Sequence, residues 1–155
     1  MFTMSMSSVC KLVLNMCSCS FLPFTMEEME DFKKKYFGKI MSKTHQASNG
    51  QCMLWTGTKK KGTSYGVICC FWQGKFRTFS VHRLVFVFHN GLHIDDITQS
   101  GMDVSHLCHN TLCVNPQHLS YEPHQTNTVR RACISAGTCT GHFGLHAACL
   151  LHLKL

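Results

Sequence analysis

Charged residues are scarce in this chain of 155 residues, and long apolar runs are absent. Charged side chains make up 15% of the residues, below the usual quarter, while 45% are hydrophobic, so disorder throughout the chain is not expected. No segment approaches the roughly 20 consecutive apolar residues that a membrane-spanning helix needs. The sequence also lacks internal repeats, and its length suits one modest domain.

The first 25 residues lack the features of a secretory signal. No Lys or Arg precedes Lys11, and the apolar run is interrupted by Lys11, Asn15 and several serines. A signal peptide has a basic start and an unbroken apolar stretch. We therefore interpret residues 1–25 as a poorly structured leader, with a divergent signal peptide as the alternative. We assign residues 26–48 to an N-terminal helix and loop, and residues 49–155 to the domain that contains the candidate metal-binding and catalytic residues.

Acidic residues are few, whereas cysteine and histidine are abundant. The chain has 8 acidic against 15 basic residues and a formal charge of +7, which favours an anionic partner, with nucleic acid as the first candidate. It has 11 cysteines and 11 histidines. An odd number of cysteines cannot all form intrachain disulfides, and disulfide scaffolds have no need of histidine, whereas zinc sites use both. We favour metal sites in a reducing compartment over a secreted disulfide framework.

The clearest helical pattern lies between Met26 and Lys43. Acidic residues gather in its first half and lysines in its second half, which suits the helix dipole. We predict a helix whose apolar side packs on the rest of the domain. That side would be formed by residues spaced three and four apart, namely Met29, Phe32, Tyr36, Phe37 and Ile40.

The remainder predicts short strands rich in aromatic and β-branched residues. Strands are expected within "CMLWTG", "YGVICCFWQ" and "KFRTFSVHRLVFVF", with a tight turn at "QGK" and a change to helix around residues 82–89. Residues 45–51 and 90–103 are predicted to be loops by composition. Residues 105–127 predict a strand, a loop, a strand and a helix, with Pro123 in the first turn of that helix.

The first group of metal-ligand residues is Cys108-x4-Cys113-x4-His118. Three ligands within eleven residues can wrap one ion, and structural zinc takes four ligands. Cys52, at the start of the first predicted strand, is our candidate for the fourth. Such a site would be closed to substrate and would stabilise the fold.

The second group is Cys133-x5-Cys139-x2-His142-x6-Cys149, in a segment with little apolar periodicity. A segment without a hydrophobic core of its own needs a cross-link to be stable, so we predict a second structural zinc. His146 is an alternative to His142, and the spacing does not decide between them.

His106 and Asn127 are not needed as zinc ligands, and we consider them candidates for a catalytic site. His106 precedes the first group by two residues, and Asn127 lies on the predicted helix that follows the second strand. A histidine and an asparagine that converge there would make a divalent-cation site, in which the asparagine oxygen binds Mg²⁺ and the imidazole takes a proton from water. The alternative is that His106 and His109 are ordinary surface residues.

The stretch "SHLCHNTLCVNPQHLSYEPHQTNTVRRAC" resembles the His-Cys box homing endonucleases, a branch of the His-Me finger (ββα-metal) nucleases. The resemblance includes "CMLWTG", "YG" and "VHRLV" upstream and spans roughly Gln51 to Cys149. It implies an α+β fold: a small zinc-stabilised ββα-metal domain with an antiparallel β-sheet and little regular core.

By this resemblance the protein would be a zinc-stabilised DNA endonuclease that hydrolyses phosphodiester bonds with a histidine base and one Mg²⁺, or another divalent cation, held by asparagine. The base would be His106 and the magnesium ligand Asn127. The resemblance assigns the first zinc to Cys52, Cys108, Cys113 and His118, and the second to Cys133, Cys139, a histidine (His142 by our choice) and Cys149.

In the family an arginine usually holds the phosphate, and a β-sheet lies in the major groove of double-stranded DNA. Arg77 is our candidate for that arginine, with Lys75 second. The expected DNA-contacting residues are Lys59, Lys60, Lys61, Lys75 and Arg77. The alternative for these lysines is a solvated edge strand that resists aggregation.

The chain also departs from the family pattern. The gap before Cys149 is longer than is usual, and only six residues follow it, so an arm that swaps between subunits is not expected. A homodimer and a palindromic site are therefore left open. A catalytically inactive zinc-stapled DNA-binding module is the alternative function, and RNA is an alternative substrate. We expect no membrane partner and an intracellular, nuclear location.

Overall fold

The computed structural model describes residues 25–48, 50–99 and 101–153. Residues 1–24, which make up almost all of the predicted leader, lie outside the described residues. The described chain forms a small α+β domain, as predicted. Its helices are α1 (Met26–Met41), α2 (Val81–Asn90), α3 (Ile94–Gln99) and α4 (His124–Ala136); its strands are β1 (Thr44–Gln46), β2 (Met53–Trp55), β3 (Val67–Trp72), β4 (Lys75–Ser80), β5 (Met102–His106) and β6 (Leu119–Pro123); short 3₁₀ turns span Pro116–His118 and Leu151–Leu153.

The six strands form three separate antiparallel ladders instead of one sheet: β1 with β2, β3 with β4, and β5 with β6. The predicted "QGK" turn joins β3 to β4, and Gln73 and Gly74 both have positive φ, at 48° and 76°. The pair β5–β6 is followed at once by α4. This strand, strand, helix order is the one predicted for residues 105–127.

Helix α1 begins at a capping box. The backbone N–H of Glu28 donates to the Thr25 hydroxyl, and the backbone N–H of Thr25 donates to the Glu28 carboxylate at 2.8 Å. The predicted packing side is confirmed for Met29, Phe32, Tyr36 and Ile40, which are all buried. Phe37 is 39% exposed, so that part of the prediction is wrong. It follows Tyr36 directly, and its ring meets that of Phe88 edge to face.

A single apolar cluster joins α1, the β3–β4 ladder, α2 and the strand β5. The Phe32 ring meets Trp72 edge to face at 4.6 Å between centroids, and the Tyr36 hydroxyl accepts a hydrogen bond from the backbone N–H of Phe71. The core is therefore more extensive than the expected little regular core. Because α1 shares this core and β1 pairs with β2, the predicted division at residues 48 and 49 does not separate two packing units.

Trp55, at the end of β2, lies against two glycines. A Cβ atom added to Gly57 would lie 2.3 Å from the indole ring, and one added to Gly66 would lie 2.4 Å from it. The indole N–H donates to the Thr58 carbonyl at 2.9 Å. The glycines of "CMLWTG" and "YG" are thus required by the close approach of the backbone to this ring.

Two predicted loops contain short regular elements. Residues 90–103 include α3, which buries Ile94 and Ile97 one turn apart, and residues 45–51 include part of β1. The loop predictions were wrong there because six- and three-residue elements are too short to give a clear period. Pro123 is the N-cap of α4, one position before the predicted first turn. In the described residues, no helix is both long and apolar enough to span a membrane.

Candidate functional site

The first group of ligands forms a closed cluster. The sulfur atoms of Cys52, Cys108 and Cys113 and a ring nitrogen of His118 all lie within 4.8 Å of one another, and all four residues are buried. The Nδ1 atom of His118 is 3.6 Å from the Cys52 sulfur and 3.5 Å from the Cys113 sulfur. Tetrahedral zinc with ordinary Zn–S and Zn–N bonds would hold S and N about 3.5 Å apart. The four residues therefore fit a structural zinc ion.

The cluster gathers residues that are far apart in sequence. Cys52 precedes β2, and the loop after β5 is joined to β2 because the Val114 N–H donates to the Met53 carbonyl at 2.7 Å. Asn115 caps the 3₁₀ turn, its side chain donates to the Gln51 carbonyl, and its Nδ2 lies 3.4 Å from Nε2 of His118. The Nδ1 atom of the same ring faces the thiols.

One thiol of this cluster is arranged to lose its proton to solvent while its neighbour keeps one. A hydrogen bond with Cys108 lowers the pKa of the Cys113 thiol to about 5, while the same bond raises the pKa of Cys108. Two thiols sharing one proton in this way are a good preparation for a metal that binds thiolates. None of the eight described cysteines is in a disulfide, which argues against a disulfide framework in this part of the chain.

The second cluster also fits zinc. The Nε2 atom of His142 lies 3.6, 3.2 and 3.5 Å from the sulfurs of Cys133, Cys139 and Cys149. His142 and His146 exchange backbone hydrogen bonds at 3.0 Å, but only His142 directs its ring to the thiols. The geometry thus favours His142 over His146.

A buried ion pair connects the second cluster to the β5–β6 ladder. The Arg130 guanidinium donates to both carboxylate oxygens of Glu122, at 2.6 and 2.5 Å, and the two side chains are 1% and 0% exposed. Arg130 also donates to the Cys149 sulfur at 3.5 Å, and Glu122 accepts from the Ser105 hydroxyl at 2.5 Å. Burial alone would raise the pKa of Glu122, but the bonds from Arg130 and Ser105 hold it below its usual range. The carboxylate is therefore ionised at neutral pH.

His106 and Asn127 line one pocket of about 170 Å³, which we call the His106 pocket. His106 ends β5, and its Nε2 atom lies 3.1 Å from the carbonyl oxygen of the zinc-cluster residue Cys113. Burial lowers the pKa of His106 to about 4, so the ring is neutral at neutral pH. A neutral ring that donates through Nε2 has an unprotonated Nδ1. His109 and Tyr65 line the same pocket.

The side chain of Asn127 is held by Asp103. Its Nδ2 donates to Oδ2 of Asp103 at 2.8 Å, and His124 Nδ1 meets the same oxygen at 2.8 Å. Asn127 and Asp103 line a second pocket of about 190 Å³, together with Arg83 and Tyr65; we call it the Asp103 pocket. Because its nitrogen is bound to Asp103, the Asn127 side chain offers its oxygen as a ligand.

Arg77 is not among the residues that line either pocket. It pairs across the ladder with Cys70, and its Nη2 donates to Gln73 at 3.2 Å, near the far end of the hairpin. Arg83, in the "VHRLV" motif, lines the Asp103 pocket. Arg83 and Asp103 are residues of the candidate site that were not predicted from the sequence. The quoted motif was a signal for Arg83, whereas Asp103 had no motif of its own.

Three of the four lysines predicted to contact DNA, Lys59, Lys60 and Lys61, lie on one exposed loop. The Lys60 N–H donates to the Tyr65 carbonyl at 2.9 Å, and the Thr111 hydroxyl donates to the Ser64 carbonyl at 3.2 Å. Tyr65 ends this loop and lines both pockets. The lysine loop, Lys59–Gly66, thus reaches the predicted catalytic residues near its end, through Tyr65, while Lys75 lies at the β3–β4 turn.

Two Cys₃His clusters around a strand, strand, helix unit define a zinc-stabilised ββα domain, which is the class of protein that the fold and the clusters establish. The family described as the zinc-binding loop region of homing endonuclease matches residues 41–151, most of the chain. The chain belongs to this family. Comparison with curated proteins and with solved structures finds no significant match.

Proposed function

We propose that this protein is a divalent-cation-dependent DNA endonuclease. The observation that carries the proposal is that His106 and Asn127, from a strand and a helix, line one pocket beside the zinc cluster. Each side chain also has its second polar atom bound by the protein, which leaves one atom of each available. Family membership supports a nuclease, and the net charge of +7 supports a nucleic-acid partner.

His106 would act as the general base. With Nε2 donating to the Cys113 carbonyl, Nδ1 can accept a proton from a water molecule. The water oxygen then bonds to phosphorus, and the bond from phosphorus to the 3′ oxygen breaks. The hydrogen bond to Cys113 would stabilise the imidazolium that forms and keep the ring oriented during the step.

Asn127 would hold the cation through Oδ1. Carboxylate and amide oxygens suit Mg²⁺, and the described residues that line the two pockets include no cysteine or methionine. A bound cation would supply stabilisation of the charge that develops on the phosphate and the leaving oxygen. The hydrogen bond to Asp103 occupies the Asn127 amide nitrogen and leaves Oδ1 for the cation.

Arg83 is placed to hold a phosphate oxygen, because it lines the Asp103 pocket. A role for Arg77 stays a prediction that requires movement of the β3–β4 hairpin. The lysine loop would contact phosphates of the DNA independently of sequence, and these contacts would position one DNA strand at the pocket.

The test is Mg²⁺-dependent cleavage of a supercoiled plasmid library with randomised inserts by zinc-loaded protein. A library is used because a single plasmid can lack the cognate site. His106→Ala should lower the cleavage rate at least about 100-fold, since a general base contributes that much or more. The control is His89→Ala, at the exposed end of α2, which should cleave like the wild type.

Zinc content and DNA binding should be unchanged in His106→Ala. Equal cleavage by this variant and the wild type would remove His106 from the mechanism, and loss in His109→Ala alone would transfer its role. A wild type that holds two zinc ions and binds the library but never cuts it would support the inactive DNA-binding module instead. Faster cleavage of RNA than of DNA would change the substrate class.

A further inference from the structure

The carboxylate of Asp103 has one oxygen that is not used to orient Asn127. It lies on β5, three residues before His106, and its Oδ2 atom accepts hydrogen bonds from Asn127 and His124. Among the described residues, its other oxygen, Oδ1, receives no hydrogen bond. The same is true of Oδ1 of Asn127. Two uncommitted oxygens therefore belong to side chains that touch each other.

The surroundings of these oxygens suit a cation and an anion together. The Asp103 pocket has about 190 Å³ of space and is lined by Asp103, Asn127 and Arg83. Burial alone would raise the pKa of Asp103, but the hydrogen bonds from Asn127 and His124 lower it below its usual value. The pocket thus has a carboxylate that is ionised at neutral pH, an amide oxygen and a guanidinium.

We propose that Asp103 is a second protein ligand of the divalent cation that Asn127 binds, through its Oδ1 atom. The inference rests on the proposed function for the cation itself. Mg²⁺ is usually held in proteins by one or two carboxylates, and an amide oxygen alone brings no charge to balance the ion. Asp103 provides that charge in contact with Asn127, and Arg83 in the same pocket would meet the phosphate that the cation also touches.

A role limited to orienting Asn127 is the competing explanation, and substitution by asparagine separates the two. An asparagine at position 103 keeps an oxygen that can accept the Asn127 hydrogen bond, but it removes the carboxylate charge. Loss of cation affinity in Asp103→Asn therefore indicates a ligand. Affinity kept in Asp103→Asn but lost in Asp103→Ala indicates orientation alone.

The experiment measures binding of Mn²⁺ alone to zinc-loaded protein by electron paramagnetic resonance, without DNA. We expect Asp103→Asn, Asp103→Ala and Asn127→Ala each to weaken Mn²⁺ binding at least about tenfold. The matched control is Asp31→Asn on α1, an acidic residue whose side chain is 73% exposed and which pairs only with Lys34. It should bind Mn²⁺ like the wild type.

Wild-type affinity in Asp103→Asn would overturn the inference, as would Mn²⁺ binding that depends on neither Asp103 nor Asn127. Failure of the inference and failure of the proposed function give different results. Cleavage that needs His106, with Mn²⁺ affinity indifferent to Asp103→Asn, would reject only the second ligand. Mn²⁺ binding that depends on Asp103 in a protein that never cuts nucleic acid would keep the cation site and reject the nuclease.

Discussion

At the scale of single residues, the imidazole of His106 takes its protonation pattern from a main-chain carbonyl. That carbonyl belongs to Cys113, whose thiol is part of the first cluster. The zinc loop therefore has two effects: it holds the strands together, and it fixes which nitrogen of His106 would accept a proton in the proposed mechanism. In that mechanism a structural metal would determine the tautomer of the base without touching substrate.

Trp55 shows the same dependence on single residues in the packing. We predict that Gly66→Ala lowers the free energy of unfolding by about 1–3 kcal/mol, because the new methyl group would lie 2.4 Å from the indole ring. The matched control is Gly38→Ala in the last turn of α1, where a Cβ meets nothing within 4 Å. That change should raise stability by roughly 0.5–1 kcal/mol, since alanine is the better helix former.

Urea unfolding of the two variants and the wild type measures both changes. Their opposite signs distinguish a local clash from a general intolerance of mutation. A Gly66→Ala protein as stable as the wild type would mean that the ring and the glycine are not in close contact.

At the scale of elements, β5, β6 and α4 are held together by the Glu122–Arg130 pair. We predict that Glu122→Gln and Arg130→Met each lower the free energy of unfolding by about 3–5 kcal/mol, because each leaves a buried charge without its partner. The double variant should lose less than the sum, since it removes both charges. Unfolding in urea at constant zinc concentration would measure the three values.

The control pair is Lys34 and Asp31 on α1, 3.5 Å apart and mostly exposed. Lys34→Met should change stability by no more than about 1 kcal/mol. Additive losses in the Glu122 and Arg130 variants would show that the two charges do not interact. Arg130→Met should also weaken zinc at the second cluster, because the guanidinium donates to the Cys149 sulfur.

Elements with local signals were predictable from the sequence, and those set by distant contacts were not. The cap and the apolar spacing of helix α1 are visible in neighbouring residues. Three ligands of the first cluster and all four of the second were found from spacing within about twenty residues, whereas Cys52 lies far from the rest of its cluster in sequence. The three separate ladders and the helix α3 were missed. Their pairing and burial depend on how α1 and α2 cover the β3–β4 ladder, which no local pattern expresses.

The residues of the candidate site also divide into those that were predictable from the sequence and those that were not. His106 and Asn127 could be placed because a resemblance carried them, whereas Asp103 emerges only from its contact with Asn127 across the ββα unit. The register of β3 and β4 puts Lys75 opposite Trp72 and Arg77 opposite Cys70, so both lie on the side of the ladder that faces the core. The exposed side carries Phe71 and Phe76. The alternation of side chains along a strand decides which face of the ladder a basic residue lies on, and the number of basic residues in the strand does not reveal that face.

At the scale of the whole molecule, the two clusters stabilise different parts of the chain. The first joins the segment before β2 to the loop after β5, and the second joins α4 to the irregular segment after Gly137. The four residues of the first cluster are buried, whereas Cys133 and Cys139 of the second are only half-buried. Access to solvent therefore differs between two sites with the same ligand types.

From this difference we predict an order of zinc loss. In a dilute chelator with an alkylating reagent, Cys133 and Cys139 should be modified before any cysteine of the first cluster, because a chelator must reach the ion or a ligand must detach into water. Loss of the second zinc should release the segment after Gly137 while β5 and His106 stay in place. Mass spectrometry of quenched samples would follow the alkylation, with exposed Cys69 as the internal standard for full reactivity. Simultaneous modification of both clusters would mean that the domain opens as one cooperative unit, and that the Glu122–Arg130 pair transmits the loss of the second zinc to the first.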